Sequence, residues 1–88
     1  MCKKITVLGK RYTINPMPVE NMAGNVGCVN VIGLTINVQD DLKEEQLNDT
    51  VLHEILHIIS VELALDLSEA DVTRLAVGLH SAGIKANV

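Results

Sequence analysis

The sequence has no tryptophan and no phenylalanine, and Tyr12 is its one aromatic residue. A core must therefore be filled by Ile, Leu, Val, Ala and Met, which bury less area per side chain than aromatic rings do. Basic residues are also few: seven Lys and Arg stand against eleven Asp and Glu, for a formal net charge of -4, and they are scattered along the chain. That excludes a phosphate-tracking surface, so nucleic acid is not an expected partner. Long apolar runs are missing too. The run at residues 5–8 is too short for a signal peptide and ends at Gly9, Lys10 and Arg11, while the stretch 55–65 is interrupted by His57, Ser60 and Glu62 and is no membrane span. A cytoplasmic location is expected, where Cys2 and Cys28 would be free thiols, with Cys28 a small buried hydrophobe before it is a metal ligand. The 88 residues suffice for a single domain, 1–88, and leave nothing for a second core.

What is present is concentrated between Val51 and Ser60, where His53, Glu54, Ile55, Leu56 and His57 spell H-E-x-x-H. On a helix, residues four apart lie one turn above each other, so His53 and His57 can offer two imidazole nitrogens to one metal ion. Glu54 points along the rim of that face. There a carboxylate can take a proton from a metal-activated water without binding the metal, which is why this order of residue types serves zinc peptidases. The plainer alternative is a hydrogen-bonded histidine pair beside a solvated glutamate. Leu47, Val51, Leu52, Ile55, Leu56, Ile58, Ile59, Leu63 and Leu65 surround the motif, however, so the helix is expected to be apolar on most faces and to run through the core. Two imidazoles and a carboxylate buried there are costly unless something binds them.

Along the chain, residues 4–8 alternate and are rich in β-branched side chains, Gly9-Lys10 supplies a turn, and residues 11–15 alternate again, which predicts a β-hairpin. Pro16 and Pro18 end its second strand, since neither can donate to a ladder. Residues 20–27 have no period and read as a loop. Residues 28–32 and 34–38, separated by Gly33, predict a second hairpin, with Leu34, Ile36 and Val38 on one face. Asp41 with Glu44 reads as a capping box, so a helix is expected from Leu42 or Lys43, and no breaker follows before Leu65, which allows about six turns. The acidic group Asp40, Asp41, Glu44 and Glu45 suits a helix N-terminus. Ser68 and Asp71 form a second box, opening a last helix over residues 69–82 with Val72, Leu75 and Leu79 on one face, and Gly83 ends it. The expected fold is α+β: a small antiparallel sheet of two hairpins packed on the long motif-bearing helix and a C-terminal helix.

A catalytic zinc site has three protein ligands and one open position, so the two histidines leave one ligand to find. The downstream candidates are Asp66, Glu69, Asp71 and His80. A helix-turn-helix brings the start of its second helix back toward the first, which suits Glu69 and Asp71, although acidic residues are favourable in a first turn in any case. His80 lies about 16 Å beyond Glu69 at the usual helical rise. It cannot share a tight ligand set with Glu69 and reads as a rim residue.

The run from Thr50 to His57, followed after a short loop by Ser68-Glu69-Ala70-Asp71-Val72-Thr73-Arg74-Leu75-Ala76, resembles small phage and prophage proteins with a zincin signature. It is also similar to the ImmA/IrrE-like and minimal gluzincin metallopeptidases. The resemblance covers roughly residues 26–80, and its specific part is the histidine motif. It implies a zincin-like fold, a zinc ion held by His53, His57 and a glutamate opening the next helix, here Glu69 in preference to Asp71, and hydrolysis of peptide bonds with Glu54 as general base. It also implies an extended substrate paired with an edge strand beside the active helix, for which residues 34–38 are the candidate. There are departures. The interval from His57 to Glu69 is short, and of the pattern E-x-x-A-[DN] only the first position is matched. Thr73 stands where those families often have an acidic or amide residue that orients a zinc-bound histidine, a role Asp66 or Asn48 could take instead.

Hydrolysis also needs an oxyanion donor besides the metal, and Tyr12 and His80 are the side chains suggested for it. The expected function is thus a small cytoplasmic zinc metallopeptidase acting on a peptide or protein. The competing reading is a degenerate zincin fold that binds a protein partner, such as a phage or host regulator, with zinc or with no metal. Glu54 separates them, because hydrolysis requires it and a structural metal site does not. A third reading, a metal-free α+β interaction domain, predicts that His53→Ala costs only packing.

Overall fold

The computed structural model describes residues 3–86, so the reading of Cys2 as a free thiol lies outside the described residues. The elements run β1 (Lys3–Val7), β2 (Lys10–Met17), a one-turn 3-10 helix (Val19–Asn21), β3 (Gly27–Asn30), β4 (Thr35–Gln39), α1 (Glu44–Glu62) and α2 (Glu69–Ser81). The fold is α+β, with two helices beside one four-stranded sheet. β1 and β2 form the first hairpin, from Lys3↔Ile14 to Val7↔Lys10, so its turn is Leu8-Gly9 and not Gly9-Lys10. Both turn residues have positive φ, 49° and 80°, as a two-residue turn matched to strand twist requires. β3 and β4 form the second hairpin, from Gly27↔Val38 to Asn30↔Thr35. Its strands are displaced from residues 28–32 and 34–38 because Asn30 claims the turn: its Oδ1 accepts from the N–H groups of Ile32 (3.1 Å) and Gly33 (2.9 Å).

The sheet is mixed, which corrects the antiparallel expectation. β2 and β4 pair parallel, Thr13↔Thr35 to Met17↔Gln39, and the strand order is β1-β2-β4-β3. After Met17 the chain crosses through the 3-10 turn and the buried Met22 to the far edge, then returns as β4 to the side of β2 that β1 leaves free. Pro16 lies inside β2 instead of ending it. The Thr13 N–H and the Met17 carbonyl bond on the β4 side, so by alternation the Pro16 nitrogen faces the β1 side, beyond the Lys3↔Ile14 pair, and takes no donor from the β2–β4 ladder.

One face of the sheet, carrying Tyr12, Ile14, Ile36 and Val38, packs against Val51, Leu52 and Ile58 of α1. α2 buries Val72 and Ala76 and half-buries Leu79, while Leu75 is exposed, so its inner face is turned from the one expected. α1 begins at Glu44 with Lys43 as its N-cap, and the Asp41 box does not form; the Gln46 Oε1 accepts the Lys43 N–H at 3.2 Å instead. The helix has 19 residues. It stops at Glu62, short of Leu65, because the Leu65 N–H bonds the Ser60 carbonyl (2.9 Å) and the Ala64 N–H bonds that of Val61 (3.3 Å), with Ala64 at φ 53°. This is a Schellman stop with alanine where glycine is usual. Val61, Leu63 and Leu65 are exposed, so α1 buries one face and is not enclosed on most sides. Among the described residues no helix is long and apolar enough to cross a membrane.

Candidate metal centre

The middle of α1 presents His53 and His57 one turn apart, with ring centroids 4.9 Å apart in an edge-on arrangement and Nε2 atoms separated by 3.2 Å. Glu69, the first residue of α2, meets both: its Oε1 lies 2.7 Å from His53 Nε2 and its Oε2 lies 2.9 Å from His57 Nε2. The start of α2 is fixed by a reciprocal capping box, in which Ser68 Oγ accepts the Asp71 N–H and Asp71 Oδ2 accepts the Ser68 N–H, both at 3.1 Å. Asp71 is thereby occupied. Its carboxyl is held below the ordinary aspartate value by the Ser68 backbone N–H and side chain, and it takes no part in the group formed by His53, His57 and Glu69. Glu69 is an exposed carboxylate. Desolvation works against its charge, but the hydrogen bond from His53 and the two imidazoles prevail and hold its carboxyl below the usual range.

Glu54 is only 7% exposed. Burial pushes its carboxyl above the ordinary glutamate value, outweighing the opposite pull of His57 and His53, with the charge of Glu69 adding to the rise. It lines, with the histidines and Glu69, a cleft of about 860 Å³ between α1 and β3. On the α1 side the cleft follows Asp49, His53, His57 and Val61, one residue per turn. Only the two histidines of this stripe were singled out from the sequence, yet extending their four-residue spacing in both directions finds the rest.

The other wall corrects the expected substrate strand. β4 lies between β2 and β3, so residues 34–38 are interior, and the free edge beside the cleft is β3. Gly27 makes that wall possible: a Cβ there would stand 2.6 Å from Thr50 Cγ2 and 3.5 Å from Glu54 Cγ. The Gln39 N–H bonds the Val26 carbonyl, so by alternation Gly27 and Val29 turn their N–H and C=O groups outward along the free edge. Cys28 alternates with Gly27 and leaves by the opposite face, half-buried, where its Sγ accepts from Asn37 Nδ2 at 3.8 Å.

Four suggested residues do not join the site. Tyr12 is fully buried in the core, and His80 faces Glu45 across 3.4 Å at the far end of α2; neither lines the cleft. Asp66 lines a smaller cavity of about 380 Å³ with His57, and Asn48 Oδ1 is buried without a partner. Among the described residues neither is hydrogen-bonded to an imidazole, and Thr73 is exposed, so no side chain orients the histidines in the way expected.

The donor set suits zinc. Bonds of about 2.0–2.1 Å at tetrahedral angles separate ligand atoms by about 3.3 Å. The histidine pair already has nearly this spacing, and Glu69 would withdraw by a few tenths of an ångström. No known protein family, characterised protein or solved structure matches this chain.

Proposed function

We propose that the chain is a small zinc metallopeptidase of the zincin type, in which His53, His57 and Glu69 hold the metal and Glu54 is the general base. The observation that carries this reading is the convergence of two imidazole nitrogens and one carboxylate, from two helices, beside a buried glutamate that lines the same cleft. Zinc, when bound, would supply Lewis acidity toward a peptide carbonyl and make water more acidic. Glu54 handles the proton. Its burial in the cleft wall, one residue after His53, places a carboxylate where it can accept a proton and pass it to a leaving amine. The outward backbone groups of Gly27 and Val29 support an extended peptide as the substrate, bound by strand addition.

A second reading keeps the fold as a binding module without hydrolysis. It is supported by the positions of Tyr12 and His80, which leave the cleft without either suggested oxyanion donor. The test compares zinc content and peptide-library cleavage in wild type, Glu54→Gln and Glu69→Ala. We expect zinc in wild type and Glu54→Gln, its loss in Glu69→Ala, and cleavage by wild type alone. Zinc without cleavage selects the binding module, and wild type that takes up no zinc rejects the metallopeptidase.

A further inference from the structure

The carboxylate of Glu69 reaches the histidines across a connection of residues 63–68, from the end of α1 at Glu62 to the start of α2 at Glu69. Local preference does not hold this path. Ala64 sits at φ 53°, in the left-handed region that an alanine avoids, and Asp66 at 56°, which an aspartate adopts more readily. Two bonds to one residue hold it. Ser60, buried on α1 three residues beyond His57, accepts the Leu65 N–H with its carbonyl at 2.9 Å and the Leu67 N–H with its hydroxyl at 3.0 Å. Leu67 directly precedes Ser68, the cap that starts α2. A buried hydroxyl is unfavourable without a partner, and among the described residues Leu67 is the partner this side chain has.

We propose that Ser60 is the positioning residue for Glu69: its hydroxyl fixes Leu67, and through the Ser68 cap fixes the first residue of α2, so that the Glu69 carboxylate meets both imidazoles. Ser60 makes no hydrogen bond to either imidazole or to the carboxylate, although it borders the smaller cavity beside His57. Its consequence for zinc rests on the metallopeptidase reading, whereas the approach of Glu69 to the two rings is read from the imidazole signals themselves.

The experiment compares wild type, Ser60→Ala, Ser60→Thr, Glu69→Ala and the Ser60→Ala/Glu69→Ala pair in two measurements. In metal-free protein, long-range 1H–15N spectra of the imidazoles should show the His53 and His57 signals of Ser60→Ala moved to their Glu69→Ala positions. Ser60→Thr, which keeps the hydroxyl, should keep the wild-type signals. In zinc competition against a chromophoric chelator, Ser60→Ala should bind more weakly, by no more than the roughly 10- to 100-fold that losing a direct partner of a metal ligand costs. It should cost nothing further when Glu69 is already absent. Wild-type ring signals in Ser60→Ala overturn the proposal. So does an equal loss of zinc affinity with and without Glu69, since that marks a general destabilisation. If wild type binds no zinc, the metallopeptidase reading falls, and the ring signals still decide the role of Ser60.

Discussion

On the helical wall of the cleft, Asp49, His53, His57 and Val61 follow one another at one residue per turn, and what the wall offers is side chains. On the opposite wall Gly27 offers no side chain, and β3 contributes the outward N–H and C=O groups of Gly27 and Val29. One wall carries chemistry and the other carries distance. A side chain can act at the proposed metal centre only if the facing backbone comes close enough to hold something against it.

The sharpest way to break this division is to give the second wall a side chain. Gly27→Ala places a methyl group against the stiff, β-branched Thr50 and against Glu54, and should destabilise the fold by roughly 1–3 kcal/mol, as overpacking does. Chemical denaturation reads this directly, and unchanged stability would show that β3 is free to move off α1. A gentler cut is Val29→Pro. It removes an outward N–H on an edge strand and leaves the ladder to β4 intact, so the sheet should survive. On the proposed peptidase function, KM for a cleaved peptide should rise by about 2- to 10-fold, the value of one net hydrogen bond, with zinc affinity unchanged.

The connection to Glu69 can be sharpened rather than broken. Both helices end in the same bonded stop, with Gly83 at φ 82° after α2 and Ala64 at φ 53° after α1. Ala64→Gly removes a left-handed penalty of about 1–2 kcal/mol and adds about 0.4–1 kcal/mol of chain entropy to the unfolded state, for a net gain of about 0.5–1 kcal/mol. Gly83→Ala should lose a similar amount. Equal effects of the same sign would mean that the two stops are not alike. The smallest effect concerns acid. The folded-state value of Asp71 is depressed by its Ser68 cap, so the box stabilises the protein at pH above the unfolded aspartate value and is lost as pH falls through the folded one. Asp71→Asn should flatten that part of the stability curve, and a variant as acid-sensitive as wild type would contradict the assignment.

The difference between the walls also explains what could be read in advance. The histidine spacing, the Ser68 cap and Gly83 express local rules with a fixed period or a fixed offset, and each stands where it was expected. The parallel pairing of β2 with β4 depends on where a whole hairpin docks, which no local pattern in either strand encodes. Gly27 looked like one loop residue among several, because its role lies in a contact with Thr50, far away along the chain. Ala64 ends α1 against its own preference, held by its own bond to Val61 and by that of Leu65 to Ser60, so the helix read as longer than it is. Helix position alone admitted both Glu69 and Asp71 and only the resemblance favoured Glu69; the geometry agrees with that preference, since Glu69 faces the histidines and Asp71 faces its own helix cap.

The most direct test of the proposed metal centre is X-ray absorption at the zinc edge on protein loaded with one equivalent of zinc. The account predicts only nitrogen and oxygen neighbours at about 2.0–2.1 Å, with two imidazoles among them. A sulfur neighbour at about 2.3 Å, or zinc that washes away on dialysis, would contradict it.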